Sequence, residues 1–110
     1  LERTFRKIID DENYCVCVLE KGGKILGTGT LLVQMNLSHE GKPYAHIENV
    51  VVDVNSRGIG AGKKIVNYLI EKGKKVGCYK IILNCSKDNI SFYEKCGFAD
   101  SGEVEMRLSS

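Results

Sequence analysis

The chain has 110 residues, of which 43% are hydrophobic and 27% charged, and its formal net charge is +2. This length and composition predict one globular domain over residues 1–110, and so small a net charge gives no argument for nucleic-acid binding. There is no run of about 18 apolar residues and no apolar core of a signal peptide at the N-terminus, so we expect neither a membrane span nor a leader.

The first half of the chain predicts an antiparallel meander. Residues 4–10 place apolar side chains on one side and predict a short helix. Residues 14–20 alternate as a strand, and the pair of glycines that follows predicts a two-residue hairpin turn. Residues 24–34 form the return strand, with Gly27 and Gly29 at a bend or bulge.

The second half predicts two parallel strands joined by a helix. Residues 36–43 form a polar loop, and residues 44–54 form the third strand. Residues 60–76 repeat apolar side chains with helical spacing, which predicts one buried face and one lysine-rich outer face. Residues 79–85 form a further strand, and the β-α-β order places it parallel to the third strand.

The C-terminal quarter predicts one more helix and one more strand. Residues 89–96 form the helix, with Ser86 or Asp88 as its cap and Gly97 after its end. Residues 98–108 form a last strand, which pairs antiparallel in the same chain or with a second subunit. Together these elements indicate the α/β class, with helices on the faces of a mixed sheet.

Five cysteines are present: Cys15, Cys17, Cys78, Cys85 and Cys96. Their number is odd and no C-x-x-C spacing occurs, and neither histidine has a cysteine at ligand spacing, so we expect no bound metal. Cys15 and Cys17 alternate on one strand, which favours two buried small side chains. Without a leader segment, reduced thiols and a cytoplasmic location are expected.

A glycine-rich segment lies between the third strand and the long helix. Residues 57–63 read R-G-I-G-A-G-K, and such a loop lets backbone N–H groups at a helix N-terminus approach an anion. The spacing fits neither a dinucleotide fingerprint nor a Walker A loop, because Lys63 and Lys64 stand where a glycine and a hydroxyl are needed. It does fit R-x-x-G-x-G, which resembles the acyl-CoA diphosphate loop of the GNAT superfamily. The alternative is a glycine-rich turn that only joins strand to helix.

Three further segments extend this resemblance. They read H-I-E-N-V-V-V over residues 46–52, C-Y-K-I-I-L-N-C over residues 78–85, and D-N-I-S-F-Y-E-K-C-G-F over residues 88–98. From about residue 22 to residue 106 the chain resembles the glucosamine-6-phosphate N-acetyltransferase family. The resemblance implies the GNAT fold (α+β, a mostly antiparallel sheet with a central splayed parallel pair) without the family's N-terminal elements. It also implies a homodimer that transfers the acetyl group of acetyl-CoA to the 2-amino group of glucosamine 6-phosphate, giving N-acetylglucosamine 6-phosphate for UDP-N-acetylglucosamine synthesis.

The resemblance assigns the residues of the site. Those expected to bind acetyl-CoA are Val50, Val51, Val52, Arg57, Gly58, Ile59, Gly60, Ala61, Gly62, Lys63, Asn84, Asn89, Tyr93, Glu94 and Lys95. Those expected to bind the sugar phosphate are Asn36, Leu37, Ser38, His39, Glu48, Asn49, Val50, Tyr79 and Lys80. The catalytic residues are expected to be Glu48, Tyr93 and Asn84, with Tyr93 protonating the departing thiolate and a backbone N–H near Val50 or Val51 polarising the thioester carbonyl.

Two of these assignments have a structural alternative, and two positions, Asn84 and Asn49, depart from the family by carrying an amide where it usually has an acid. Tyr93 could be an aromatic residue that only packs on a helix face, and Glu48 could be an outward-facing strand carboxylate. Asn84 stands where the family usually has an acid, and an amide takes no proton at neutral pH, so we assign it a contact and not the role of base. An acetyltransferase for a protein amine and a non-catalytic acetyl-CoA-binding module remain as alternative functions.

Overall fold

A single mixed sheet runs through the protein. The computed structural model describes residues 3–10, 13–35 and 39–110. The five strands lie in the order of the chain: β1 (Arg3–Asp10), β2 (Tyr14–Lys21), β3 (Lys24–Gln34), β4 (Tyr44–Val52) and β5 (Ile81–Ile82). The helices are α1 (Ala61–Lys75) and α2 (Ile90–Lys95), and short 3-10 turns cover His39–Gly41, Val54–Ile59 and Lys87–Asn89. Among the described residues, no helix combines the length and the apolar character needed to cross a membrane.

The β2–β3 hairpin confirms the predicted meander. Its turn residues Gly22 and Gly23 have φ of 58° and 80°, as a two-residue turn of this type requires. The pairing of β3 shifts register between Ile25 and Gly27 against β2, and between Thr28 and Thr30 against β4. The predicted irregularity around the strand glycines is therefore confirmed.

The helix predicted over residues 4–10 is wrong, because this segment is strand β1. It pairs antiparallel with β2, from Arg3 opposite Lys21 to Asp10 opposite Cys15. A helix of seven residues is marginal in water, whereas a strand satisfies the backbone groups on the outer edge of β2. Backbone pairing with a neighbour thus outweighs the apolar spacing of the segment.

Helix α1 covers one face of the sheet and confirms the predicted helix. Ile65, Val66 and Leu69 are fully buried in a core that also contains Cys17 and Leu31 of the sheet. Burial of both Cys15 and Cys17 was likewise expected from their alternation. The helix ends at Lys75, and Gly77 follows with φ 87°. This packing fixes the start of α1 directly beside the end of β4.

The parallel pair is confirmed, but β5 is much shorter than residues 79–85. Only Ile81 and Ile82 pair with β4, opposite Ala45 and His46. Beyond them the two chain segments are no longer hydrogen-bonded as strands, so the predicted strand ends early. The separation that shortens β5 leaves space between the two segments at their carboxyl ends.

Helix α2 is also shorter than predicted and has no side-chain cap. A 3-10 turn precedes it, in which the Asn89 N–H donates to the Ser86 carbonyl at 3.0 Å, and the Ser86 hydroxyl makes no capping bond. After the helix Gly97 has φ 102°, and the Phe98 N–H donates to the Tyr93 carbonyl at 3.1 Å. Backbone bonds therefore take the place of the predicted cap.

The last strand predicted over residues 98–108 is not present in this chain. The segment has no strand pairing, and Val104, Met106 and Leu108 are 80%, 90% and 99% exposed. Alternating apolar residues form a strand only where a neighbouring strand supplies backbone partners. The segment has no such partner among the described residues of the same chain, and pairing with a second subunit stays a prediction.

Candidate active site

A cavity of about 340 Å³ opens where β4 and the segment after β5 separate. Its walls come from the end of β4, the loop after β5, the 3-10 turn and α2. The residues that line it are Ile47, Glu48, Asn49, Val50, Asn84, Cys85, Ser86, Asn89 and Tyr93. The structure thus brings together all three residues expected to be catalytic, although they come from positions 48, 84 and 93.

A β-bulge in β4 shapes the cavity floor. Thr30 lies opposite Glu48 and Thr28 opposite Val51, so Asn49 and Val50 together face one residue of β3. Asn49 has φ 55°, a left-handed conformation that asparagine tolerates better than most residues. Such a bulge leaves main-chain amides outside the strand ladder, where they can donate to a bound group. Sequence reasoning missed the bulge, although an asparagine inside an apolar strand was the signal for it.

Tyr93 is held in the cavity wall by its aromatic neighbours. Its ring meets those of Phe92 and Phe98 edge to face, at centroid distances of 4.9 Å and 6.0 Å. Burial raises the pKa of the Tyr93 hydroxyl, and the nearby thiols of Cys85 and Cys96 raise it further. The hydroxyl is therefore neutral at neutral pH, which is the protonation state that a proton donor needs.

Glu48 supplies negative charge to the same cavity. It lies one residue before the bulge, on the strand face opposite to buried Ile47. Among the described residues that line the cavity, it is the only carboxylate, because position 84 is an asparagine. Glu48 is solvent-exposed, as the alternative of an outward-facing strand carboxylate predicts. It nevertheless lines the cavity.

The glycine loop lies at the start of α1 and forms an open cradle. Gly60 has φ 78° and joins the 3-10 turn to the helix, and a Cβ atom on Gly58 or Gly60 would meet nothing within 4 Å. The first N–H groups of a helix have no intrahelical partner, and its dipole favours an anion there. Arg57 and Lys63 are exposed beside them. Backbone donors, open space and two cations fit a diphosphate.

A buried serine and an aspartate fix this loop to the sheet. The Ser56 hydroxyl donates to Asp53 Oδ2 at 3.4 Å, and the Ser56 N–H donates to the Asp53 carbonyl at 2.9 Å. The Asp53 N–H in turn donates to the Leu26 carbonyl of β3 at 2.8 Å, and Lys24 Nζ lies 3.7 Å from Asp53 Oδ2. The cradle is therefore anchored through β3.

Tyr79 and Lys80 do not reach the cavity. They precede β5, and the Lys80 ammonium lies 5.1 Å and 5.6 Å from the ring centroids of Tyr44 and Tyr79. Tyr44 begins β4, whereas Glu48 lies four residues further along, about 13 Å at the rise of a strand. Within one chain, these two expected phosphate contacts are at the opposite end of the parallel pair.

The remaining residues expected in the site lie outside the cavity lining or outside the described residues. Val52 is half-buried beside α1, while Val51, Glu94 and Lys95 are exposed outside the cavity lining. His39 begins a 3-10 turn. Asn36, Leu37 and Ser38 lie outside the described residues. Sequence reasoning did not assign Ile47, Cys85 or Ser86 to the site, although Ile47 and Cys85 each adjoin a residue that it did assign and Ser86 lies two residues after Asn84.

Comparison with known proteins agrees with this architecture. The acetyltransferase (GNAT) family model matches residues 1–98. Glucosamine 6-phosphate N-acetyltransferase of Arabidopsis thaliana is 44% identical over 91 residues, which are 83% of this chain and 61% of that protein. The enzyme of the same name from Schizosaccharomyces pombe is 34% identical over 96 residues, which are 86% of each chain.

A solved structure shares the fold in three dimensions. The crystal structure of the Arabidopsis thaliana enzyme matches with a TM-score of 0.84 and 39% identity, covering 88% of this chain and 67% of that one. The chain spans about three fifths of the length of the Arabidopsis relative in sequence. On the family match, these relatives and the shared fold, the chain belongs to the GNAT family of acetyltransferases.

Proposed function

We propose that this protein transfers the acetyl group of acetyl-CoA to the 2-amino group of glucosamine 6-phosphate, forming N-acetylglucosamine 6-phosphate. The observation that carries the proposal is the meeting of Glu48, the Asn49 bulge and Tyr93 in one cavity. The relatives named glucosamine 6-phosphate N-acetyltransferase support the choice of acceptor.

The donor fits this chain's own residues. The glycine loop and the start of α1 hold the diphosphate through backbone N–H groups, with Arg57 and Lys63 adding positive charge. The exposed edge of β4 at Val51 offers backbone groups to the amide-containing arm of the coenzyme. The bound thioester supplies an activated acyl group, and an amide of the Asn49–Val50 bulge polarises its carbonyl.

Two side chains move the protons of the reaction. The amine nitrogen forms a bond to the acyl carbon as the carbon–sulfur bond breaks. Glu48 accepts the proton that the nitrogen loses, since it is the only carboxylate among the described residues lining the cavity. Tyr93 donates its proton to the departing thiolate, since Tyr93 lines the cavity and its hydroxyl is neutral at neutral pH. Asn84 orients a substrate by hydrogen bonding and exchanges no proton.

The acceptor is tested by measuring release of coenzyme A with three amines. We expect turnover with glucosamine 6-phosphate, and far slower turnover with glucosamine and with a lysine peptide at the same concentration. Fast acetylation of the peptide would contradict the choice of acceptor. Binding of acetyl-CoA without turnover of any amine would point to a non-catalytic binding module.

The same assay on Tyr93→Phe tests the chemistry of the cavity. Loss of the proton donor should lower kcat by about 100-fold, with little change in the affinity for acetyl-CoA. Tyr14→Phe removes a hydroxyl from the β2 strand outside the cavity and serves as the matched control. Equal kcat in Tyr93→Phe and the control would exclude Tyr93 as the acid.

We propose further that the working enzyme is a homodimer whose sites each use both chains. Within one chain, Tyr79 and Lys80 are not among the described residues that line the cavity, and the Lys80 ammonium lies over Tyr44 at the start of β4. The segment after residue 98 carries exposed, alternating Val104, Met106 and Leu108, a pattern suited to pairing with a second copy. A second chain would thus supply the Tyr79 and Lys80 side chains and cover this apolar segment.

Complementation between two defective variants tests the shared site. Tyr93→Phe and Lys80→Ala are co-expressed with different tags, and the mixed dimer is purified on both tags. If Lys80 acts across the interface, one of the two sites is intact, so the mixed dimer should have about half of wild-type activity. If Lys80 acts within its own chain, both sites remain defective. Activity no greater than the mean of the two variants would therefore contradict the shared site.

A further inference from the structure

The ring of Phe92 lies between the glycine loop and Tyr93. A Cβ atom placed on Gly62, in the first turn of α1, would lie 3.2 Å from Cζ of Phe92 and 3.4 Å from Cγ2 of Val52. The ring thus rests against the backbone at the helix end that carries the free N–H groups. On its other side it meets Tyr93 edge to face, with centroids 4.9 Å apart and an interplanar angle of 78°.

Helix α2 has little else to fix its position. It is six residues long and contains no buried residue. Its half-buried side chains are Phe92 and Tyr93, which pack against the core together with Phe98 after the helix. The ring of Phe92, which lies between Gly62 and Tyr93, is therefore one of the few contacts that can fix the position of the Tyr93 hydroxyl.

We propose that Phe92 is a positioning residue that couples the diphosphate cradle to Tyr93, a role that rests on the proposed function of both. An anion bound by the first N–H groups of α1 fixes the backbone of that turn. The fixed backbone at Gly62 holds the Phe92 ring, and the ring holds Tyr93 at the cavity. Occupation of the cradle thus aligns the proton donor before the thioester reacts.

Fluorine NMR of protein labelled with 3-fluorotyrosine tests the coupling without turnover. The chain has five tyrosines, and Tyr93→Phe identifies the resonance of Tyr93. The probe is adenosine 3′-phosphate 5′-diphosphate, which carries the diphosphate of coenzyme A but lacks the arm that would reach Tyr93. We expect saturating nucleotide to displace the Tyr93 resonance in the wild type, and to displace it by less than half as much in Phe92→Leu.

Phe98→Leu is the matched control. It makes the same change in the other ring that meets Tyr93, at 6.0 Å. Since the α1 contact of Phe92 remains, the displacement caused by the nucleotide should persist in this variant. An equal displacement in Phe92→Leu and in the wild type would overturn the coupling. So would binding of the nucleotide with no displacement in the wild type.

Gly62→Ala tests the same contact from the side of α1. Its new Cβ atom is close enough to push the Phe92 ring by a few tenths of an ångström, so the Tyr93 resonance should move in the absence of nucleotide. In the double variant Gly62→Ala/Phe92→Leu the shorter side chain leaves room, and the resonance should be where it is in Phe92→Leu alone. Additive displacements in the double variant would contradict transmission through the ring.

Kinetics separate positioning from a general loss of structure. Phe92→Leu should lower kcat by about tenfold while the dissociation constant of acetyl-CoA stays within twofold. In the Tyr93→Phe background the same change should have no further effect, because the residue on which Phe92 acts is already gone. Equal losses in both backgrounds would show a purely structural role. Failure of the nucleotide to bind at residues 57–63 would instead refute the diphosphate site itself, and the coupling with it.

Discussion

At the scale of single residues, two glycines illustrate different demands of the fold. Gly29 lies on β3 under α1, where an added Cβ would be 2.7 Å from Cγ2 of Ile65 and 2.9 Å from Cδ1 of Leu69. Gly58 lies in the exposed loop, where an added Cβ would meet nothing within 4 Å. The first glycine allows the helix to approach the sheet, and the second leaves space for a ligand.

This contrast makes a stability prediction. Gly29→Ala should destabilise the protein by about 1–3 kcal/mol, because the core must shift to admit the methyl group. Gly58→Ala should change stability by no more than about 0.5 kcal/mol, since it lies on the surface without positive φ. Urea unfolding of both variants measures the difference, and equal free energies of unfolding would show that α1 does not pack this closely.

Single residues also show what a sequence can reveal of a site. The roles expected of Glu48 and Tyr93 came from their motifs, and the structure places both in one cavity. The sequence also showed that Asn84 replaces an acid of the family. In the structure Asn84 lines the cavity, so Glu48 is the only carboxylate among the described lining residues. The left-handed conformation of Asn49 was not predicted, because local residue type alone does not fix the register of a strand.

At the scale of elements, the predictions of secondary structure were correct where the residue pattern of the segment itself favours one structure strongly. The period of α1 predicted its buried face, since the buried positions recur at helical spacing over about three turns, at Ala61, Ile65, Val66, Leu69 and Gly73. The glycine pair fixed the β2–β3 hairpin, because positive φ at both turn positions suits few other residues. In these elements the local chemistry and the tertiary contacts favour the same structure.

Predictions failed where pairing decides the structure. Residues 4–10 have helical spacing but form β1, since β2 offers backbone partners. Residues 83–85 have a strand composition but separate from β4, and that separation creates the cavity. Residues 98–108 alternate as a strand but have no pairing in the chain. In all three cases the presence or absence of a neighbouring segment determines whether a strand forms.

At the scale of the whole molecule, the fold places three regions of the proposed site next to one another. These adjacent regions are the cradle at the start of α1, the cavity at the end of β4 and the wall that Tyr93 of α2 forms. Phe92 of α2 lies against Gly62 of α1 on one side and meets Tyr93 on the other. Tyr79 and the Lys80 ammonium lie at the other end of the parallel pair. One chain therefore contains the groups that we propose to carry out acetyl transfer, and a second chain is proposed to complete the recognition of the sugar phosphate.

A crystal structure of the protein with both coenzyme A and glucosamine 6-phosphate bound tests this arrangement most directly. We expect the diphosphate on the backbone of residues 58–63, the sulfur within hydrogen-bonding reach of the Tyr93 hydroxyl, and the amino group beside Glu48. A diphosphate bound away from the start of α1, or an amino group outside the cavity that Glu48 and Tyr93 line, would contradict acetyl transfer at this site.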